Sequence, residues 1–361
     1  GNAYGDLGDH KRQLEYSEKA LALSRDLFGE RHPNTATYLN NTGNAYGDLG
    51  DHKRQLEYSE KALALSRDLF GERHPKTATY LNNIGNAYGA LGDHKRQLEY
   101  SEKALALSRD LFGERHPDTA TYLNNTGRAY GDLGDHKRQL EYSEKALAIS
   151  RDLFGERHPN TATYLNNTGN AYGDLGDHKR QLEYSEKALA LSRDLFGERH
   201  PKTATYLNNI GNAYGALGDH KRQLEYFEKA LALSRDLFGE QLPNTATYFN
   251  NIGNAYGDLG DHKRQLEYLE KAMNLYNELL GPQHPKTACI IDDLASTLSK
   301  LNRRYDAYQL IDGFLKKLGS DHPKYTLLAN HRKQLLSKPL RPGFRQPPSN
   351  GKGKKKKRRR E

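Results

Sequence analysis

Asparagine is the residue whose repeated spacing in this sequence predicts binding chemistry. Asn-Asn pairs recur at a fixed separation, and one helical turn after each pair comes a third asparagine, replaced once by arginine. The set is Asn40, Asn41 and Asn44; Asn82, Asn83 and Asn86; Asn124, Asn125 and Arg128; Asn166, Asn167 and Asn170; Asn208, Asn209 and Asn212; and Asn250, Asn251 and Asn254. A side-chain amide has one acceptor and two donors, so it can bind a peptide main chain whatever side chains that peptide carries.

The same set has a second interpretation, in which the asparagines only keep a helix face solvated. Asparagine is a middling helix former, so three in one helix are an inefficient way to make that helix soluble. We therefore favour a ligand-contacting surface, with the solvated face as the alternative.

No group of residues in the sequence predicts catalysis. The GxxxGxxG pattern at Gly43, Gly47 and Gly50 lacks the Gly-Lys-Ser/Thr of a phosphate-binding loop, and neither HExxH nor GxSxG occurs. Most of the 15 histidines fall in two repeated positions, represented by His32 and His52, whose separation matches no metal-ligand spacing. We expect a protein that is not an enzyme and has no metal or cofactor.

A run of basic residues ends the chain. Residues 339–361 carry ten Lys or Arg and one Glu, which accounts for the whole net charge of +9. Seven of these bases are consecutive: Lys354, Lys355, Lys356, Lys357, Arg358, Arg359 and Arg360. The run predicts a nuclear-import signal or nonspecific contact with nucleic acid or an anionic membrane. A solvated tail with no such role is the alternative.

The asparagines belong to a repeat of 42 residues, marked by Pro33, Pro75, Pro117, Pro159, Pro201, Pro243 and Pro285. Within one repeat, Pro33 suits the first position of a helix, and Gly50 ends that helix. Asp51 can cap a second helix, which Gly71 ends. Because such a helix pair cannot bury its apolar face alone, we expect neighbouring pairs to stack.

Each repeat also carries a set of motif residues. In one copy they are Leu39-Asn40-Asn41-Thr42-Gly43, Tyr46, Gly50, Ala62-Leu63 and Gly71-x-x-His74-Pro75. This pattern resembles the tetratricopeptide repeat, in its 42-residue kinesin-light-chain-like variety. The resemblance implies an all-α, right-handed superhelical solenoid of stacked antiparallel helix pairs. It also implies a noncatalytic protein-binding scaffold whose first helices line a concave groove, where asparagines bind an extended peptide or a partner's helix.

Two positions depart from the family's pattern. Where the family has a small residue, this chain has Gln55 and its counterparts. Four residues later, where a bulky residue is usual, it has Ser59, and only Phe227 and Leu269 restore the bulk in later copies. We therefore expect looser packing than in the family, especially toward the N-terminus.

The repeat boundaries predict three segments. Residues 1–322 form the tetratricopeptide array, with a partial first unit, six near-identical units and one degenerate unit. Residues 323–338 are expected to form a C-terminal capping helix, and residues 339–361 a disordered basic tail. Because Gly1 aligns with Gly43, the chain is expected to begin partway through a repeat, which leaves open a preceding enzyme or ATPase domain.

Uniformity and composition give two further expectations. Near-identical repeats with one uncapped end favour head-to-tail self-association as an alternative to peptide binding. The composition bears on location. The sequence has one cysteine, no signal segment of basic followed by apolar residues, and no apolar stretch long enough to span a membrane. A cytoplasmic location is therefore expected, with the nucleus as the alternative through the basic tail.

Overall fold

The first helix of most repeats begins at a proline, and the histidine before that proline caps the helix. His74 has an extended backbone, and its Nδ1 accepts a hydrogen bond from the main-chain N–H of Lys76 at 3.2 Å. Pro75 follows at the start of the helix, where a main-chain N–H would have no partner within the helix, so its absence in proline costs no hydrogen bond. The His74 ring stacks on Phe70, with ring centroids 4.2 Å apart. The histidine therefore shapes the turn before the proline, as the sequence predicts.

In the near-identical repeats, the second helix also begins and ends at the predicted residues. The Asp51 carboxylate accepts a hydrogen bond from the main-chain N–H of Arg54 at 3.1 Å and so caps the helix. Gly71 ends it with φ at 79°, a conformation that residues with a side chain rarely adopt. Local chemistry alone therefore fixes where the helices start and stop.

A computed structural model describes residues 10–239, 243–282, 284–320, 322 and 324–337. Its helices are α1 (His10–Phe28), α2 (Pro33–Asp48), α3 (His52–Phe70), α4 (Pro75–Ala90), α5 (His94–Phe112), α6 (Pro117–Asp132), α7 (His136–Phe154), α8 (Pro159–Asp174), α9 (His178–Phe196), α10 (Pro201–Ala216), α11 (His220–Phe238), α12 (Pro243–Asp258), α13 (His262–Leu280), α14 (Pro285–Lys300), α15 (Arg304–Leu315) and α16 (Tyr325–Leu336). No strand occurs among these residues, which confirms the predicted all-α class. Within the same ranges, no helix has the length and apolar content that crossing a membrane requires.

The chain divides into two compact units, residues 1–248 and 249–361, and the division falls within α12. From α1 to α11, each helix packs against the next one in sequence, so helix pairs stack as predicted. Consecutive first helices, such as α4 and α6, also touch each other.

Small residues allow the close contact between one repeat and the next. Ala104 and Ser108 on α5 and Thr119 on α6 are all completely buried. The Ser108 Oγ lies 2.9 Å from the Thr119 Oγ1, which donates to the main-chain oxygen of Gly113 at 2.8 Å. The buried hydroxyls are therefore hydrogen-bonded, and the contact carries no penalty for unpaired polar groups.

The glutamine that departs from the family pattern is well packed. Gln97 lies over Gly89, where an added Cβ would come within 2.6 Å of the Gln97 Cδ. Its Nε2 donates to the Asp132 carboxylate in the next repeat at 2.7 Å, and its Oε1 lies 3.0 Å from the His94 Nδ1. Gln97 is only 2% exposed. The expectation of loose packing is therefore wrong at this position, because a glycine on the facing helix makes room.

In the second compact unit, α13 to α16 also pack in sequence, and Leu269, Leu294 and Leu328 are buried. The side chains of α16 make polar contacts with two other helices. The His331 Nδ1 lies 2.6 Å from Asp292 on α14, and Arg332 donates to Asp312 on α15 at 2.7 Å. The predicted basic tail, including Lys354 to Arg360, lies outside the described residues.

The contact between Gly89 and Gln97 predicts that Gly89→Ala has opposite effects in two backgrounds. In the parent chain an added Cβ would lie 2.6 Å from the Gln97 Cδ, and Gln97 cannot move aside without losing its bond to Asp132, so we expect the free energy of unfolding to fall by about 1 kcal/mol. In a Gln97→Ala chain that space is open, and the helix propensity of alanine should raise the free energy of unfolding by about 0.5–1 kcal/mol. Urea unfolding followed by circular dichroism measures both effects. Equal effects in the two backgrounds would contradict the contact.

The histidine caps predict a loss of stability in acid. Burial, and then the charge of a nearby lysine, lowers the pKa of His74 and of His200. Below about pH 6.5, where an unfolded histidine takes up a proton, the folded caps resist protonation. The free energy of unfolding should therefore fall as the pH drops from about 6.5 to the lowered pKa values of the folded histidines, and these two groups should cause no further fall below them.

Asparagine also caps helices but does not titrate in this range. A His74→Asn/His200→Asn chain should therefore show a shallower dependence on pH. Urea midpoints between about pH 8 and pH 5 test this, and parallel curves for the two chains would show that the caps do not contribute.

Candidate functional site

The asparagine pairs of neighbouring repeats are hydrogen-bonded to each other. The Nδ2 of Asn83 on α4 donates to the Oδ1 of Asn40 on α2 at 2.8 Å. The same bond, also at 2.8 Å, joins Asn125 to Asn82, Asn167 to Asn124 and Asn209 to Asn166. We call these eight residues the asparagine row. The row ties each first helix to the first helix of the preceding repeat.

Longer contacts connect the two asparagines within a pair. The Nδ2 of Asn82 lies 3.5 Å from the Oδ1 of Asn83, and the corresponding distances are 3.5 Å for Asn124 and Asn125 and 3.4 Å for Asn166 and Asn167. The row is therefore a chain of amides with one direction, in which each oxygen accepts from the next nitrogen.

The two asparagines of a pair differ in what they present at the surface. Asn40, Asn82 and Asn166 are 5–7% exposed, and their oxygens accept the bonds between repeats. The second asparagines, such as Asn83 and Asn125, are half-buried and use one amide proton in the row. Because an amide nitrogen carries two protons, each keeps a donor for a further partner.

The third position is the most accessible of its set in two repeats. Arg128 and Asn212 are exposed, and Asn170 is half-buried. One N–H of the Arg128 guanidinium donates to the Oδ1 of Asn86 in the preceding repeat. In the ranges given above, the side chains of Asn170 and Asn212 make no hydrogen bond. The remaining predicted binding residues are half-buried: Asn41, Asn44, Asn86, Asn124, Asn167, Asn208, Asn209, Asn250, Asn251 and Asn254.

A pocket of about 150 Å³ opens among these residues between two repeats. Its walls are Asn124 and Arg128 from α6 and Asn167 and Asn170 from α8, and its remaining lining is Gln139 and Ser143 from α7. Ser143 occupies the position where the family has a bulky residue, so the missing bulk leaves space here. The expectation of loose packing therefore holds at the serine, although it fails at the glutamine.

Two polar groups in the pocket differ in how well they are satisfied. Gln139 donates to Asp174 at 2.8 Å, and its oxygen lies 3.1 Å from the His136 Nδ1, so both ends of this amide have partners. Ser143 is only 3% exposed, and its hydroxyl makes no hydrogen bond within the described residues. Because Ser143 lines the pocket, this hydroxyl is available to a group that enters it.

Arginines at the repeated surface positions are neutralised by acids of this chain. Arg31, Arg73, Arg115, Arg157 and Arg199 lie 2.5–3.0 Å from Asp68, Asp110, Asp152, Asp194 and Asp236, each in the next repeat. Arg128 differs, because within the described part of the chain no carboxylate lies within 4.0 Å of it. Arg128 is therefore the one charged residue in the lining of this pocket, and it is not paired with an acid in the described ranges.

A wider recess of about 570 Å³ lies elsewhere, at the turn between α6 and α7. Its lining includes Leu133, Leu175 and Tyr130, with the Arg138 guanidinium 4.3 Å from the centre of the tyrosine ring. Burial, together with the hydrogen bond from its hydroxyl to Glu102 at 2.6 Å, raises the pKa of Tyr130 to about 12. This tyrosine stays neutral at physiological pH and joins two repeats.

The repeated histidines all have structural contacts of the kinds described for His74 and His94. No group of three or more His, Cys, Asp or Glu in the described ranges is placed to hold a metal ion. Sequence reasoning found the asparagines but missed their bonds to one another, the pairing of glutamine with aspartate, and the pocket. The arginine at position 128 was the one visible signal of the pocket.

Models of the tetratricopeptide repeat match most of the sequence. The matched ranges are residues 1–54, 56–96, 77–118, 120–153, 140–180, 182–222, 203–243 and 245–286. No curated protein matches the sequence significantly.

Several solved structures resemble the chain. BtubC (BKLC) from P. vanneervenii is 22% identical with a TM-score of 0.52, and the match covers 64% of this chain and 92% of that one. Rap protein, solved in complex with Competence and Sporulation Factor, is 13% identical with a TM-score of 0.60, over 93% of this chain and 98% of that one. A putative kinesin light chain from Podosopora anserina with nearly identical TPR-like repeats is 21% identical with a TM-score of 0.48, over 57% of this chain and 97% of that one.

At these identities, the first two likenesses establish the fold and nothing finer. The family follows from the sequence models, which cover well over half of the chain. The resemblance of the motif residues is thereby confirmed: this chain belongs to the tetratricopeptide repeat family.

Proposed function

We propose that the chain is a noncatalytic protein-binding scaffold and that the asparagine row and the third positions bind an extended peptide. The observation that carries this proposal is the row itself. Its amides are held in place by bonds of 2.8 Å between repeats, and Asn83, Asn125 and Asn167 each keep an unused donor at a half-buried side chain. Fixed donors lose little side-chain entropy when a ligand binds.

An extended peptide suits this surface better than a partner's helix. An extended chain presents unpaired main-chain N–H and C=O groups, whereas a helix already uses its own along most of its length. Side-chain amides need such unpaired groups to bind. The surface also repeats the same chemistry in each repeat, and a peptide main chain is likewise uniform along its length.

The accessible third-position amides give the cleanest test, because removing them leaves the row intact. We expect the full chain to enrich a family of peptides from a displayed library of random 16-residue sequences. An Asn170→Ala/Asn212→Ala chain should bind synthetic copies of these peptides about tenfold or more weakly, since two lost hydrogen bonds are worth about 1–3 kcal/mol. Fluorescence anisotropy measures the affinities, and circular dichroism checks that the variant is folded.

Asn277 provides the matched control, since it is an exposed asparagine on α13, a second helix. An Asn277→Ala chain should bind as the parent does. The proposal fails if the parent enriches no peptide family, or if the enriched peptides bind the Asn170→Ala/Asn212→Ala chain with unchanged affinity.

A further inference from the structure

We infer that the Arg128 pocket takes a carboxylate side chain of the bound peptide and so fixes which repeat each part of the peptide occupies. This inference rests on the proposed function. It concerns a property that the uniform row cannot provide, namely the register of the ligand along the array.

Register is a problem for this chain because its repeats are nearly identical. A peptide held only by amides meets the same groups after sliding by one repeat, so registers away from the ends have nearly equal free energy. Among the six third positions, five are asparagine and one is Arg128. Among the third positions, Arg128 alone distinguishes one register from its neighbours by charge.

The guanidinium of Arg128 is anchored by one hydrogen bond and can still bind a ligand through its other N–H groups. One of its five N–H groups donates to the Asn86 Oδ1, which anchors the side chain across the repeat boundary. The others have no carboxylate partner within the described ranges. An arginine fixed at one N–H and free at the rest can bind a carboxylate with two parallel hydrogen bonds.

Two further groups in the pocket lack partners. The Ser143 hydroxyl and the Asn170 amide both line the pocket, and neither makes a hydrogen bond in the part of the chain that the structure describes. With Arg128 they supply hydrogen-bond donors from three helices, α6, α7 and α8. The nearby acid, Asp174, accepts from Gln139 at 2.8 Å, so the Gln139 amide stands between this carboxylate and the pocket.

The size and charge of the pocket favour a carboxylate over a phosphate. Its volume of about 150 Å³ is several times what one water molecule needs, which is enough for the end of an aspartate or glutamate side chain. A carboxylate carries one negative charge, which a single guanidinium balances. A phosphoryl group carries about −1.5 to −2 and would be left with unbalanced charge at a site with one arginine.

Peptides from the selection described above test the inference. We expect the peptides that the parent enriches to share one Asp or Glu, and synthetic copies are made with Glu, Gln or phosphoserine at that position. Replacing Arg128 with Asn, the residue of the other repeats, should weaken the Glu peptide about tenfold or more and the Gln peptide less than twofold. The basic tail is the same in every chain, so its attraction for acidic peptides cancels in the comparison.

Moving the arginine by one repeat tests the register directly. Every chain carries Cys289→Ser and Lys53→Cys, which puts an acceptor dye at an exposed site on α3, and the Glu peptide carries a donor dye. In an Arg128→Asn/Asn170→Arg chain the Glu peptide should recover its parental affinity, whereas energy transfer to residue 53 should fall as the peptide moves one repeat away.

Three other outcomes would contradict the inference, and each identifies which part of it is wrong. If Glu and Gln peptides bind the parent equally, or if energy transfer does not change in the transplanted chain, the pocket does not set the register although the scaffold function stands. If the phosphoserine peptide binds more tightly than the Glu peptide, the carboxylate assignment is wrong. If no peptide binds any chain, the scaffold function fails and the inference fails with it.

Discussion

The buried contact between the second helix of one repeat and the first helix of the next is the interaction on which the rest of the structure depends. A pair of helices cannot bury its apolar face alone, so each repeat relies on its neighbours for stability. The contact is close because alanines and hydroxyls line it, as at Ala104, Ser108 and Thr119. This closeness sets the distance between successive first helices. Only at that distance can the second asparagine of one pair reach the first asparagine of the pair in the previous repeat at 2.8 Å.

The bonds between repeats also explain why asparagine occurs on a helix face that it does not favour by propensity. Each pair of neighbouring repeats gains an amide hydrogen bond, worth about 1 kcal/mol, which offsets asparagine's modest cost in a helix. Neither sequence interpretation, a ligand-contacting face or a solvated face, includes this role. Three of the first asparagines, Asn40, Asn82 and Asn166, are only 5–7% exposed, so they serve mainly in packing. The chemistry left for a ligand lies on the second and third asparagines.

The helices could be predicted from sequence because their ends depend on neighbouring residues. A proline, a capping aspartate or a glycine in a left-handed conformation acts within one turn of the chain, and Pro75, Asp51 and Gly71 all lie at predicted ends. Contacts between repeats could not be predicted in the same way, because near-identical repeats leave the partner ambiguous. Gln97 shows this, since the sequence alone does not decide between an acid in its own repeat and Asp132 in the next. A repeat that lacks this aspartate supports the contact between glutamine and aspartate. The residue that corresponds to Asp132 in the repeat after Gln55 is Ala90, and Gln55 is half-buried, whereas Gln97 is only 2% exposed.

The same uniformity that hides the contacts also limits what the array can recognise. Amides that bind a main chain do not distinguish one peptide sequence from another, and specificity is a difference between affinities. Most repeated arginines are already paired with aspartates, as Arg115 is with Asp152, so the regular surface offers a ligand little unbalanced charge. Discrimination must then come from a position where one repeat departs from the others. A single charge-assisted contact, worth about 1.5–3 kcal/mol, would favour one register over its neighbours by about ten- to a hundredfold. In such an array the identical repeats supply affinity, and the exceptional residue supplies selectivity.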